Sequence, residues 1–227
     1  YRPRISLDYL GQPQVGVSVG GGAFGSGGLY GGIFGIFSDI LARHQVFAAV
    51  QAQGQLDEIG FALQYLNQRD RWNFGGAAQR VPVVYGFFDE RFVEPDLIAQ
   101  EVVRARFFDS TIQGFAQYPF SNVRRVEFSA GLRRISRDEQ AFQYLYRLLP
   151  NGQVVFEGER QVDLGGVSLN LFESSAALVY DNSLIGWTSP FAGQRYRFQI
   201  TPTFGELQYV QGLADYRRYF FLRPFTL

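Results

Sequence analysis

The stretch over residues 194–204, QRYRFQITPTF, switches between apolar and polar side chains at every step. Side chains of an extended chain point to opposite faces in turn, whereas a helix would scatter both sets around its circumference. The spacing therefore predicts a β-strand with one apolar and one polar face. The apolar set is Tyr196, Phe198, Ile200, Pro202 and Phe204, and the polar set is Arg195, Arg197, Gln199, Thr201 and Thr203.

The same two-faced pattern recurs in three other segments. Ile59, Phe61, Leu63 and Tyr65 alternate with Glu58, Gly60, Ala62 and Gln64; Trp72, Phe74, Gly76 and Ala78 alternate with Arg71, Asn73, Gly75, Ala77 and Gln79; Val126, Phe128, Ala130 and Leu132 alternate with Arg125, Glu127, Ser129, Gly131 and Arg133. Strands of about 10 residues with one apolar face are typical of transmembrane β-barrels. The pattern predicts an all-β, antiparallel, up-and-down transmembrane β-barrel.

Composition narrows the class further. Hydrophobic residues make up 46% of the 227, yet no run approaches the roughly 18 apolar residues of a membrane helix. The net charge of +0 gives no indication of a nucleic-acid partner. Without cysteine, the chain has neither a disulfide framework nor a thiolate site. A β-barrel or a β-sandwich fits these limits.

Turn signals divide the chain into an entry segment, residues 1–13, and a barrel, residues 14–227. Pro3 and Pro13 are expected to keep the entry segment out of the centre of a ladder. Ten strands and a stub follow, so we expect ten to twelve strands, as in part of a 16-strand barrel. Compact turns are predicted near 39–43, 68–70, 119–123 and 221–224, and a longer loop over 86–98.

The segment 100–118 breaks the pattern. Arg104 and Arg106 share a parity with Ile112, Gly114 and Ala116, so one regular strand would place arginine and apolar groups on one side. A bulge near residues 109–110 would reverse the phase. A solvent-exposed upper half, where the faces no longer differ, would have the same effect on the pattern. Both explanations stay open from sequence.

Six segments resemble one family of outer-membrane proteins. They are FSDILARHQ (37–45), YLNQRDRWNFG (65–75), QYPFSNVRRVEFSAGLR (117–133), AALVYDNS (176–183), GQRYRFQITP (193–202) and LADYRRYF (213–220). In this order they resemble the bacterial-surface-antigen, or BamA-type, barrel, in the version that follows a TolB-like β-propeller. The resemblance covers nearly the whole chain and corresponds to the N-terminal part of that barrel.

The resemblance implies a barrel of about sixteen strands whose relatives insert or translocate proteins. The sequence departs from the family's pattern at one motif. The family's inward loop carries an Arg-Gly-aromatic triplet, and no such triplet occurs here. The resemblance also makes a periplasmic domain or subunit outside this chain an expected partner.

Sites for chemistry are sparse. Gly20, Gly22 and Gly25 match the spacing of a dinucleotide fingerprint, but a glycine-rich strand pattern follows where a helix is needed. His44 is the only histidine, lies beside a turn and has no elbow-type serine nearby. One histidine without cysteine does not make a metal site. No catalytic, cofactor or metal site is predicted.

An energetic argument assigns the two faces. An arginine facing lipid at mid-bilayer costs roughly 2–4 kcal/mol, so the arginine-bearing face is expected to point into the lumen. The lumen-facing set is Glu58, Gln64, Arg71, Arg125, Glu127, Arg133, Arg195, Arg197 and Gln199. The lipid-facing set is Ile59, Phe61, Leu63, Trp72, Phe74, Val126, Phe128, Leu132, Tyr196, Phe198 and Ile200.

Two roles are open for the polar face. In a wet lumen its charges would set ion selectivity. In a filled lumen they would form a network of arginines with Glu58, Asp181 or Asp215. Mixed signs favour the network.

Three functions follow from these faces. The first is a non-enzymatic pore, translocation or assembly component of the bacterial outer membrane, with membrane lipids as partners and no nucleic acid. The second is a structural anchor or an enzyme built on a similar barrel. The third is a soluble, lipocalin-like binding module, in which the apolar face would point inward.

Overall fold

Alternating sequence patterns fold here into a single extended antiparallel sheet. The computed structural model describes residues 3–18, 28–54, 58–185, 190–222 and 225–226. Within them all regular structure is β apart from one residue at the start of the fifth strand, which confirms the all-β, antiparallel, up-and-down prediction. The glycine fingerprint at Gly20, Gly22 and Gly25 and the predicted turn at 223–224 lie outside the described residues.

Strand lengths differ greatly along the chain. The first five strands are β1 (Ser6–Leu10), β2 (Gln14–Ser18), β3 (Gly28–Ser38), β4 (His44–Gly54) and β5 (Ile59–Asn67). Four long strands follow: β6 (Asn73–Glu94), β7 (Leu97–Pro119), β8 (Arg124–Leu148) and β9 (Val154–Asp181). The last are β10 (Leu184–Ile185), β11 (Pro190–Gly205), β12 (Tyr209–Tyr219), β13 (Phe221–Leu222) and β14 (Phe225–Thr226).

Twelve of these strands form one sheet. From β3 to β9 each strand pairs with the next in the chain, β9 pairs with β11, and β11 pairs with both β10 and β12. Strands β1 and β2 share the first edge, since both pair with β3. The two edges are not hydrogen-bonded to each other within the described part of the chain. The described residues thus contain fourteen strands, against the ten to twelve expected, and twelve of them belong to the main sheet while β13 and β14 pair with each other.

The entry segment contains β1, which lies at the sheet edge and pairs Ser6 with Ser38, so this segment stays out of the centre of the ladder. One prediction about an irregular segment is wrong. The loop predicted over 86–98 is a hairpin, because β6 continues to Glu94 and β7 begins at Leu97. The sequence did not indicate that the two strands continue here, because apolar and polar side chains do not alternate cleanly in this segment.

The segment 100–118 contains no bulge. The register of β7 with β6 and β8 is continuous through Asp109 and Ser110, so the bulge explanation is wrong. A solvated upper half is also wrong for its two arginines. Arg104 is 7% exposed and forms an ion pair with Glu58, and Arg106 is 8% exposed and forms an ion pair with Asp138. Each arginine can therefore occupy the face that carries apolar side chains elsewhere on β7, because a carboxylate neutralises its charge.

The best-buried part of the sheet lies in this long-strand extension, residues 81–109 and 135–169. Its centre is β7, where both faces are buried between Glu101 and Arg106. Glu101 is buried there too and accepts a 2.6 Å hydrogen bond from the side chain of Gln143 on β8. At the tip, hydrogen bonds from the Arg147 guanidinium lower the pKa of Glu157. Polar groups inside the extension are thus paired across strands.

Beyond the extension, the two faces of the sheet are packed to different degrees. On β9, Leu171, Ala177 and Val179 are 3–5% exposed, whereas Phe172 and Leu178 on the opposite face are 42% and 38% exposed. We infer from this difference that the sheet is bent, because side chains on the inside of a bent sheet crowd one another. The face that carries Ala177 and Val179 is therefore concave, and the face that carries Phe172 and Leu178 is convex.

The buried pair of Glu58 and Arg104 gives a testable stability difference. Glu58→Gln removes the carboxylate and leaves the Arg104 guanidinium buried without its charge partner, which is expected to lower the free energy of unfolding by about 3–5 kcal/mol. Urea titration of the folded protein measures it. Glu159→Gln is the control, because Glu159 is exposed and is expected to change stability by less than about 0.5 kcal/mol. Equal effects of the two substitutions would contradict the role of the pair.

Candidate functional site: the two faces of the sheet

The convex face is continuously apolar across the middle of the sheet. Residues opposite each other on paired strands lie on the same face, so the register defines rows. One row is Leu63, Ala78, Ile112, Leu132, Phe172 and Phe204. A second is Phe74, Ala116, Phe128, Ala176 and Ile200, and a third is Val126, Leu178 and Phe198. We call this surface the apolar face.

Every strand residue of the predicted lipid-facing set lies on the apolar face. Trp72 is the one member of this set outside a strand: it lies in the turn just before β6 and packs against Tyr118. The large side chains of this face are exposed: Phe61 by 44%, Phe128 by 45% and Phe198 by 48%. Within the residues that the structure describes, no second layer of protein covers them.

Aromatic rings line one end of the apolar face. Tyr180 and Tyr196 lie opposite each other with stacked rings 5.1 Å apart, and Tyr216 lies opposite Tyr196 on β12. On β7, the Tyr118 ring lies 5.0 Å from that of Trp72. We call these five residues the aromatic row. It lies at the end of the sheet where the compact turns 68–72 and 120–123 are found.

Polar side chains end the apolar face on the opposite side. Arg80, Ser110, Arg134 and Asn170 occupy one row across β6, β7, β8 and β9. Glu206 completes it from the turn after β11, where it accepts hydrogen bonds from the Asn170 side chain at 3.1 Å and backbone N at 2.6 Å. The Asn170 side chain thereby lowers the pKa of Glu206. We call these five residues the polar row.

The concave face carries two charged clusters, and we call it the polar face. In the first cluster, Glu127 accepts hydrogen bonds from Arg125 at 2.6 Å and from Arg197 at 2.8 Å. Arg197 also donates to the side-chain oxygen of Gln199 at 2.9 Å, and Gln199 donates to Thr201 at 3.0 Å. Four residues of the predicted lumen-facing set are therefore brought together here.

The second cluster is centred on Arg133. Its guanidinium donates to both carboxylate oxygens of Asp109, the shorter contact being 2.6 Å, and to Glu173 at 3.3 Å. A small cavity of about 160 Å³ adjoins it, and Ser129 and Ser175 hydrogen-bond across this cavity at 2.8 Å. Each charge in the two clusters has an opposite charge within contact distance. This arrangement can fill space and neutralise charge, and it offers no nucleophile activated by a neighbouring base.

Two residues of the predicted lumen-facing set lie elsewhere. Glu58 is fully buried against Arg104 of the extension. Arg71 lies in the turn 68–72, where it donates to the backbone oxygens of Pro119 and Phe120 and covers the Tyr118 ring. Neither residue belongs to a strand, so the alternation that predicted their faces does not extend to them.

The other predicted polar residues have fewer partners. Arg195 lies 3.9 Å from Asp181, so this pair is loose, and Gln64 stands between Phe47 and Ala77. Asp215, predicted as a partner across the barrel, pairs instead with Arg217 on its own strand at 3.0 Å. The polar face therefore has its dense charge on β7, β8, β9 and β11.

His44 has a structural environment. Its backbone N donates to Asp39 at 2.8 Å, and its Nδ1 lies 2.9 Å from the hydroxyl of Tyr65. The described residues hold no group of three or more His, Cys, Asp or Glu side chains arranged to bind a metal ion. They also include no helix that is long and apolar enough to cross a membrane.

Sequence reasoning missed Asp109 and Glu173 on the polar face and Arg80 and Arg134 on the convex one. Each is unremarkable within its own segment. Asp109 meets Arg133 only because β7 and β8 pair in one register, and a register is not visible in a single strand. Arg134 follows Arg133 directly, and the doublet in the printed sequence could have indicated one arginine on each face.

No family model, no curated protein and no solved structure matches this chain. Function therefore has to be inferred from the chemistry and geometry of the two faces.

The Glu127 cluster predicts energetic coupling. We expect Glu127→Gln and Arg197→Gln to be non-additive by about 0.5–3 kcal/mol in the free energy of unfolding, because either substitution alone breaks the same contact. A double-mutant cycle by urea titration measures the coupling. The control cycle is Asp215→Asn with Arg217→Gln, an ion pair whose arginine side chain is 58% exposed, with coupling below about 1 kcal/mol expected. Coupling that is no larger at Glu127 than at Asp215 would contradict a structural role for the cluster.

Proposed function

We propose that this chain is a membrane-spanning part of a bacterial outer-membrane β-barrel, with the apolar face against lipid and the polar face toward the lumen. The observation that supports it best is the banded apolar face, bounded by the aromatic row on one side and the polar row on the other. Transmembrane barrels carry an outward apolar band flanked by interfacial aromatic residues.

The height of the band fits a bilayer. Tyr180 of the aromatic row and Asn170 of the polar row lie ten residue steps apart on β9. Extended chain rises about 3.3 Å per residue, which gives about 33 Å along the strand. At a strand tilt of about 40°, the band is about 25 Å tall, the height of the apolar band in outer-membrane barrels.

Energetics favour this orientation over its reverse. An arginine facing lipid at the bilayer midplane costs roughly 2–4 kcal/mol, and the cost falls to about 0–1 kcal/mol near the interface. Arg125, Arg133 and Arg197 are on the polar face, whereas Arg80 and Arg134 are on the apolar side only at its boundary. The arginines thus stand where a bilayer would tolerate them.

Exposure argues against the soluble, lipocalin-like alternative. A soluble barrel would place Phe61, Phe128 and Phe198 in a dry interior and the arginines in water. The three rings are 44–48% exposed, so they do not lie in a dry interior.

For a chain in the outer membrane, we propose a non-enzymatic role as a pore, in translocation, or in membrane-protein assembly. The two charged clusters pair both signs on the polar face and so resemble packing of a filled lumen more than a filter of one charge sign. The resemblance to BamA-type barrels points the same way. A structural anchor on the same barrel is the second candidate, and the dense pairing of the polar face favours it.

Face assignment predicts a contrast between adjacent residues. Phe198→Arg places a guanidinium on the apolar face and is expected to reduce folding into phosphatidylcholine vesicles strongly, at a cost of about 2–4 kcal/mol. Gln199→Arg adds the same group one residue later, on the polar face near Glu127, and is expected to fold nearly as the unaltered chain does. The measurement is the folded fraction on unheated gels after vesicle refolding.

Equal loss from both substitutions would contradict the face assignment. A monodisperse, detergent-free monomer of the unaltered chain would reject the membrane location itself. Planar-bilayer recording of inserted protein distinguishes the roles, because steady conductance steps indicate an open pore and silent insertion indicates a filled barrel.

A further inference from the structure

One exposed guanidinium on the convex side of the sheet lacks a protein partner. Arg134 has neither a hydrogen bond nor an ion pair within the described residues. Ser110 and Asn170 lie directly opposite it on the neighbouring strands, so the nearest groups in its row are neutral. An unpaired cation next to an apolar surface is available to an anion from outside the protein.

A second guanidinium lies on the same row. Arg80 is separated from Arg134 by one strand, β7, which corresponds to about 10 Å between their backbones. Its position is fixed, because it donates to the Ile59 backbone oxygen at 3.2 Å and its Cζ lies 4.2 Å from the centre of the Phe108 ring. Arg80 therefore adds a positive charge to the row without having to leave these contacts.

A groove adjoins the two arginines on the apolar side of the polar row. Its volume is about 810 Å³. Phe61, Ile112, Leu132, Phe172 and Phe204 supply its apolar lining, and Arg80, Arg134 and Asn170 of the polar row line its polar end. A ligand with a charged head and a hydrocarbon tail would place the head at the polar row and the tail in this groove.

The net positive charge of the polar row favours an anionic head group. Glu206 is its one carboxylate, and it is already bound by the backbone and side-chain N–H groups of Asn170. The row therefore carries two guanidiniums against one hydrogen-bonded carboxylate. Guanidinium groups bind phosphate oxygens through paired, charge-assisted hydrogen bonds.

We propose that the polar row and the adjoining groove bind the phosphate head group of an anionic membrane lipid, with its acyl chains in the groove. Arg134 supplies the main contact, and Arg80 supplies a second positive charge. The inference rests on the proposed membrane location of the apolar face. It adds a lipid class and a place of binding.

The test uses the full chain in nanodiscs made from nine parts phosphatidylcholine and one part phosphatidylglycerol. Lipids that stay bound after detergent extraction are counted by mass spectrometry. We expect phosphatidylglycerol to be enriched over its bulk fraction. Arg134→Gln should reduce that enrichment about fivefold, which corresponds to about 1 kcal/mol for an arginine at a membrane surface.

Two further variants separate the site from general charge. Arg160→Gln removes an exposed arginine of the extension, away from the polar row, and should leave the enrichment unchanged. Arg134→Lys keeps the positive charge but loses the planar guanidinium that can donate two parallel hydrogen bonds, and should retain part of the enrichment. Because Arg134 is exposed and has no partner within the described residues, none of its variants is expected to impair folding.

Several outcomes would overturn the proposal. They are an unaltered chain without enrichment, an Arg134→Gln variant that enriches as well as the unaltered chain, and equal losses for Arg134→Gln and Arg160→Gln. Complete loss of enrichment in inorganic phosphate would assign the row to a free anion instead. In all four cases the chain still enters nanodiscs, so the membrane proposal stands. Failure of the unaltered chain to enter these nanodiscs would reject both the lipid-binding proposal and the membrane proposal.

Discussion

Backbone hydrogen bonding in a continuous antiparallel register is the constraint on which both faces depend. From β5 to β11 the strands pair without a register shift throughout the region between the polar row and the aromatic row. A slip of one residue in any strand would move its apolar set to the opposite face. Leu132 and Phe172 share a row, and so do Glu127 and Ala177, only because every pairing keeps the same phase. The register turns a local pattern into two chemically distinct surfaces.

Beyond the polar row β7 keeps its register with β8, whereas the pairing of β8 with β9 shifts between Glu139 and Gln140 and again between Leu145 and Tyr146. The chemistry of the faces changes there as well. Arg104 and Arg106 occupy positions that carry apolar groups lower on β7, and each is buried with a carboxylate. A buried ion pair is a costly substitute for apolar packing unless both partners are well placed. Such pairs would be out of place on a surface that faces hydrocarbon. Their location marks the extension as a part of the sheet packed by protein contacts, above the proposed lipid-facing band.

Sequence alone predicted what depends on neighbours along the chain and failed where a distant segment decides. Alternation in 194–204 and 124–134 predicted the strands and the face of Phe198 and Phe128. The same reasoning misplaced Glu58, whose partner Arg104 lies 46 residues away, and Arg71, which interacts with the next turn. It also interpreted β6 and β7 near their tips as a loop, because apolar and polar side chains do not alternate cleanly there. The clusters around Glu127 and Arg133 needed the register, which a single sequence does not contain.

The open edges of the sheet bear on the membrane proposal. Strands β1 and β2 at one edge and β12 at the other each present a row of backbone groups. In hydrocarbon an unpaired backbone N–H or C=O costs several kcal/mol, and this is why membrane-spanning sheets close into barrels. A lipid-facing band about 25 Å tall and an unpaired edge of equal height are therefore incompatible in the assembled protein. If the convex face lies in a bilayer, both edges must be paired there, with each other or with additional strands, and the concave polar face then becomes the wall of a lumen.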